Sequence, residues 1–219
     1  MGSITRGLSN NITTGGVILP AGITNDSVSA VTSFANASGG TLILLSTQTA
    51  SNSATISFTT GLDSTYDAYE FHFINVRPAT DSVNFQFNLS TDSGSNYNVT
   101  KTTTYFRAYH DEADTQTALG YDTAQDLAQS TSYQNLGDSL GNGADEHASG
   151  TMQLFNPSST TYVKHFISNC EFYNAGNYSL HHLVAGYGNT TSAVNAVRFQ
   201  MSSGNIADGI IKLYGIKKS

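Results

Sequence analysis

Val83-Asn84-Phe85-Gln86-Phe87-Asn88-Leu89 alternates apolar and polar side chains without a break. Successive side chains of an extended chain point to opposite faces, so this spacing predicts a strand with one face buried and the other wet. A helix would instead repeat its apolar residues every three or four positions. Ser90-Thr91-Asp92-Ser93-Gly94-Ser95-Asn96 comes next. Its Asp and Gly supply the side-chain hydrogen bond and the positive φ that a tight reversal requires, so the strand leads into a turn.

Working outward, the same reading predicts strands over 41–49 and 54–59, separated by a polar turn at 50–53. Residues 69–76 place Tyr69, Phe71 and Phe73 on one face, and Pro78 ends that run. Further strands are expected over 97–109, 150–155, 162–172, 178–187, 193–201 and 209–216. Between them, residues 110–148 read as a long irregular insert with a short helix near 123–129 and a turn at Gly141-Asn142-Gly143. Many short strands without a long helix or a fixed repeat predict an antiparallel β-sandwich or barrel. Residues 1–38 are polar, with Gly-rich breaks and no long periodic segment, and read as an extended N-terminal arm ahead of one domain over 39–219.

Composition agrees. Only 11% of the 219 residues are charged, against roughly 25% in ordinary soluble domains. Ser, Thr, Asn and Gly take their place, as suits exposed strands and turns. The formal net charge is −7, with only 9 Lys and Arg, so nucleic-acid binding through phosphate neutralisation is not expected. Cys170 is the sole cysteine; an intrachain disulfide is excluded, and the residue reads as a buried thiol within a strand. The opening MGSITRGLSNN lacks the apolar core of a signal peptide, and the apolar run 42–45 is too short to span a bilayer. Folding in a cytoplasm without membrane insertion is the expectation.

Polar clusters are few. His110-Asp111-Glu112 with Asp114 offers oxygen and imidazole ligands but lacks the spacing of a calcium loop, so a solvated loop is the simpler reading. Asp92-Ser93-Gly94 is accounted for by its turn, and Asp145-Glu146-His147 places neighbours where they do not converge on one ion. His181 and His182 are adjacent in a strand and point to opposite faces, so neither a shared zinc nor any other cofactor is expected. No nucleophile elbow, P-loop, zincin or dinucleotide fingerprint occurs. Asp63, Glu70, Asp111 and Glu171 do not pair by spacing as a glycosidase needs. A non-enzymatic role follows. Tyrosine is frequent, at 12 residues, and its flat ring and hydroxyl suit interfaces. Tyr105 and Tyr109, with His110 and Asp111 beside the insert, form the candidate recognition surface.

Two stretches resemble a known group. The turn Ser90-Thr91-Asp92-Ser93-Gly94-Ser95-Asn96-Tyr97 after an alternating strand, and the ending Ala196-Val197-Arg198-Phe199-Gln200-Met201 through Gly209-Ile210-Ile211-Lys212-Leu213-Tyr214-Gly215-Ile216, are similar to jelly-roll-like β-sandwich structural proteins of tailed bacteriophages. Asp208 departs from the small residue typical at its place. The resemblance spans residues 40–216. It implies a jelly-roll-like sandwich in a virion protein of the fibre, tail or head-decoration type, commonly a homotrimer, assembled in the host cytoplasm. It further implies that the arm attaches to other virion proteins and that the sandwich points outward, with host-surface glycan as a possible contact. A tail-associated or host-attachment fibre is the leading expectation; a capsid decoration protein and a carbohydrate-binding module are the alternatives. Residues 210–216 carry apolar side chains on both faces, which marks Tyr214 and Ile216 as candidate oligomer contacts.

Overall fold

The computed structural model describes residues 41–217, together with the short pairs β1 (Ile12–Thr13) and β2 (Gly16–Val17). The chain divides into two compact units, Met1–Gly39 and Gly40–Ser219. In the first, β1 and β2 pair antiparallel, Ile12 opposite Val17 and Thr13 opposite Gly16. The rest of the expected arm lies outside the described residues.

The second unit is an antiparallel β-sandwich, and no helix occurs among its described residues. Its larger sheet has eight strands in the order β3 (Leu42–Ser53), β14 (Ile206–Ile216), β5 (Ala68–Pro78), β10 (Ala148–Phe155), β11 (Lys164–Tyr173), β12 (Tyr178–Gly188), β7 (Lys101–Asp111) and β8 (Thr117–Tyr121). The smaller has four, β4 (Ile56–Phe58), β13 (Ala196–Met201), β6 (Val83–Ser90) and β9 (Gln134–Leu140). The opening heptapeptide is most of β6. Its Val83, Phe85, Phe87 and Leu89 are buried against the larger sheet, as period two requires.

Phe199 of β13 sits at the centre of the core. Its ring centroid lies 5.2 Å from that of Phe71, 5.1 Å from Phe73, 5.9 Å from Phe85 and 6.2 Å from Phe58. Most of these contacts are edge-to-face, the arrangement favoured by the ring quadrupole. Cys170 is buried in β11, where an alternating pattern sends Phe166, Cys170 and Phe172 inward.

Several expectations are corrected, among them the turn at 50–53, which instead continues β3 to Ser53. Residues 110–148 are not an irregular insert: they contribute β8, which pairs with β7, and β9, the edge of the smaller sheet. The helix near 123–129 does not form: one turn closes, Gln125 N donating to Asp122 O at 3.3 Å, and from Leu127 the backbone bonds to β7. Leu127 N donates to Thr103 Oγ1 (2.8 Å), and Thr103 N donates to Leu127 O (2.9 Å). The strand expected over 97–109 begins only at Lys101, since side chains claim the carbonyls before it. Asn88 Nδ2 donates to Tyr97 O at 2.7 Å and Lys101 Nζ to Val99 O at 2.8 Å.

The closing strand is interior, hydrogen-bonded to β3 on one side and β5 on the other. It starts earlier than expected, at Ile206, and is bulged around Asp208. That bulge explains Asp208: its carboxylate takes Nε of Arg77 at 3.1 Å and also pairs with Nη2. Gly209 follows at φ 121°, where an added Cβ would stand 2.6 Å from Val76 Cα, so only glycine fits there.

Candidate functional site

The inner face of β7 meets the smaller sheet along a polar seam. Its inward residues fall at every second position, and the first four find partners on β6 or β9. Lys101 Nζ donates to Asn88 Oδ1 (2.5 Å) and Thr103 Oγ1 to Gln134 Oε1 (2.6 Å). Tyr105 Oη donates to Asp138 Oδ1 at 3.4 Å, and Arg107 Nη1 to Asp138 Oδ2 at 2.9 Å. Lys101, Asn88, Gln134 and Tyr105 are fully buried. Burying such groups is tolerated only when they are hydrogen-bonded, which the seam achieves.

At its open end the seam becomes a charged cluster. His182 stands directly opposite Arg107 on the neighbouring strand. Its Nε2 comes within 2.8 Å of Asp138 Oδ1 without the alignment of a hydrogen bond, and its Nδ1 has no hydrogen-bond partner among the described residues. Arg107 Nη2 also lies 3.4 Å from Asp122. Burial pushes the Asp138 carboxyl up, but His182, Arg107 and the Tyr105 hydroxyl outweigh it and hold the group below its ordinary 3.8. Burial, followed by the Asp138 charge, raises Tyr105. Gly137 lets β9 approach closely enough for this: a Cβ there would lie 2.2 Å from Phe172 Cζ, whose ring also packs on His182.

Past Arg107 no strand of the smaller sheet covers β7, where Tyr109 is only half-buried, or β8, which is exposed at every residue. The overhang shelters a depression of about 230 Å³ lined by Arg107, Tyr109, Gln116, Asp138, Asn174 and Tyr178, among others. A second, of about 320 Å³, shares Arg107 and Tyr109 and runs along residues 118–123. Tyr109 and Tyr178 meet edge-to-face at 5.6 Å, and the Arg107 guanidinium lies 5.7 Å from the Tyr109 ring centroid.

The expected recognition residues therefore separate. Tyr105 is a correction: its ring is fully buried, and it supports Asp138 from beneath instead of meeting a ligand. Tyr109 lines the groove. His110 and Asp111 line a different depression, of about 450 Å³, with Glu112, His147, Glu171 and Tyr173. Asp111 is committed to its own turn, accepting from Thr115 N and Gln116 N, both at 2.8 Å. The Thr115 hydroxyl and these amides hold its carboxyl below the ordinary value. Glu171 accepts from Ser179 Oγ at 2.7 Å, and His110 Nε2 lies 3.0 Å from Asp114. No group of His, Cys, Asp and Glu among the described residues is placed to hold a metal ion. His182 is buried and His181 exposed, on opposite faces as alternation requires.

Sequence reasoning missed Asp138, Arg107 and His182 as a set. The available signal was a charged or polar residue at an inward position of each strand, visible only once those strands are aligned. The outer face of the larger sheet is a second feature. All the exposed large apolar residues among the described positions except Tyr162 lie on it: Leu42, Leu44, Ile74, Phe106, Leu119, Tyr121, Ile167 and Leu183. Tyr121, Phe106 and Leu183 stand side by side in register across three strands, with Ile167 diagonal to them on β11. Tyr214 and Ile216 share the face, half-buried, with Tyr214 4.7 Å from the His72 ring.

No protein-family model, no curated protein and no solved structure matches this chain.

Proposed function

We propose that this chain is a non-enzymatic structural protein of a tailed-phage virion, an exposed fibre or tail-associated component whose sandwich assembles as a homotrimer and whose N-terminal arm attaches it to other virion proteins. The observation that carries the reading is the outer face of the larger sheet. A strip holding Tyr121, Phe106, Leu183 and Ile167 crosses four strands, interspersed with Ala108, Ala185 and Thr104; a carboxylate at its edge, Asp126, accepts from the Tyr121 hydroxyl at 2.5 Å. Contiguous exposed apolar surface on a soluble domain marks an interaction site. In a chain of net charge −7, copies repel one another over most of their surface. An apolar strip is where that repulsion is weakest and burial most favourable, so a further copy of the same chain is the partner it suits. The adjoining edge strand β8, exposed at every residue, adds unpaired backbone groups.

The charged cluster fits binding better than acid–base chemistry. Arg107 pairs with Asp138, whose carboxyl is held below its ordinary value, whereas glycoside hydrolysis needs one protonated carboxyl. The test is oligomeric state. Light scattering should give three times 23.3 kDa for the native chain and one times that mass for the double substitution Ile167→Glu, Leu183→Lys, with unchanged far-UV dichroism. A native chain that stays monomeric at high micromolar concentration refutes assembly through this face. Deleting residues 1–38 should abolish incorporation into particles and leave a folded sandwich; normal incorporation refutes attachment by the arm.

A further inference from the structure

We infer that the groove beneath the β7–β8 overhang binds a neutral or amino sugar in an oligosaccharide, with Tyr109 and Tyr178 as the stacking walls and Gln116, Asn174 and Ser139 as the hydrogen-bonding groups. The inference rests on the proposed role as an exposed virion protein only for its biological setting; its chemistry comes from the groove.

Pyranose rings present a C–H face and a rim of hydroxyls, so their sites combine aromatic surface with polar groups that both donate and accept. The groove has that combination. Tyr109 and Tyr178 are half-buried and fixed against each other, so their rings are held in place before any ligand arrives. Around them, the Gln116 amide, Asn174 Nδ2, Ser139 Oγ and the two tyrosine hydroxyls make no hydrogen bond to any described residue. Asn174 is nevertheless oriented, because its Oδ1 accepts from Gly176 N at 2.9 Å and Tyr178 N at 3.1 Å, leaving its NH₂ for a ligand. Rigid rings beside oriented, unpartnered polar groups are what a small polar ligand requires.

Charge selects among sugars. Arg107 is the only cation lining either depression, and it is shared by Asp138 and Asp122. The local balance is thus one positive against two negative groups, which repels uronic and sialic acids and tolerates neutral or amino sugars. Size selects for more than one ring. The depressions of about 230 and 320 Å³ lie on either side of Arg107 and Tyr109, so two linked residues occupy the groove better than one.

The test is saturation-transfer NMR with the full-length protein against maltose, cellobiose, lactose, chitobiose and chitosan disaccharide, with sialyllactose as the acidic comparison. The expected result is millimolar binding of at least one neutral or amino disaccharide, at least tenfold weaker binding of sialyllactose, and at least tenfold loss in Tyr109→Ala. Tyr109 also packs on the core, so Gln116→Ala, an exposed residue, provides a second variant that keeps the fold and should weaken binding several-fold. No transfer to any of these sugars at 10 mM overturns the inference, as does sialyllactose binding most tightly or affinity unchanged in both variants. The Ile167→Glu, Leu183→Lys protein separates the two proposals, since losing the oligomer leaves the groove intact.

Discussion

Lys101 is a buried ammonium group with no carboxylate beside it among the described residues, and its titration should govern how stability changes with pH. Its side chain is fully buried, and its Nζ donates only to Asn88 Oδ1 and Val99 O. Burial lowers its pKa from 10.5 to about 7. In the unfolded chain the amine keeps the ordinary value, so between the two values the unfolded state binds more protons, and stability rises with pH. The full charged-state cost is therefore present below about pH 7 and is relieved as pH climbs toward 10.5. At about 1.4 kcal/mol per pH unit, that cost is about 5 kcal/mol in total. Over pH 6 to 9, allowing for partial titration at each end, about 2.5 kcal/mol should be recovered.

Lys101→Met keeps the length of the side chain and removes the charge. Asn88 Oδ1 retains a donor in Leu89 N at 2.8 Å, so the main loss is the partner of the Val99 carbonyl, costing about 1–3 kcal/mol at every pH. The variant should thus be more stable than the native chain at pH 6 and should lose that advantage by pH 9. Urea denaturation in steps of half a pH unit measures this. With a slope near 2 kcal/mol/M, the midpoint difference between the proteins should move by roughly 1.3 M across the range. Groups common to both proteins cancel in that difference. Parallel curves, within about 0.5 kcal/mol from pH 6 to 9, would refute the assignment of a charged, uncompensated amine at this site.

Three further outcomes are expected. Asp138→Asn should cost about 2–3 kcal/mol, less than for a fully buried pair because the Arg107 side chain is 32% exposed. Since the native carboxyl titrates below 3.8, its stabilisation is present above that pH and lost beneath it; the variant's acid-unfolding curve should accordingly be flatter below about pH 4, and an unchanged acid limb would contradict the cluster. Phe85→Ala should cost about 3–5 kcal/mol by thermal or urea unfolding, since its ring is fully buried and contacts Phe73 at 5.2 Å; an unchanged melting temperature would contradict the inward placement. Cys170 is 2% exposed and burial pushes its thiol up to about 12, so it should resist thiol reagents at pH 8 until denaturant is added; stoichiometric reaction in the native state would show that the strand opens locally.

The all-β class was legible because it depends on local spacing. Residues 83–89 can bury Val83, Phe85, Phe87 and Leu89 together only as a strand, and the same spacing in 69–76 and 162–172 made those strands readable. The buried thiol of Cys170 and the opposed faces of His181 and His182 followed from the same rule. β9 was not legible, because Gln134-Asn135-Leu136-Gly137-Asp138-Ser139-Leu140 places polar groups at inward positions and glycine between them. Only pairing with β6 makes a strand of it. Nor did the helix-like composition of 123–129 extend past one turn, since from Leu127 the backbone bonds to β7. The seam of Lys101, Thr103, Tyr105 and Arg107 against Asn88, Gln134 and Asp138 joins residues 13 to 33 positions apart. No local pattern specifies which acceptor each donor will meet. Local alternation thus determined that the chain is β and which side chains turn inward. Tertiary structure decided which inward polar groups meet, where one sheet outgrows the other, and which face is left uncovered, because those depend on how two sheets of unequal width pack together.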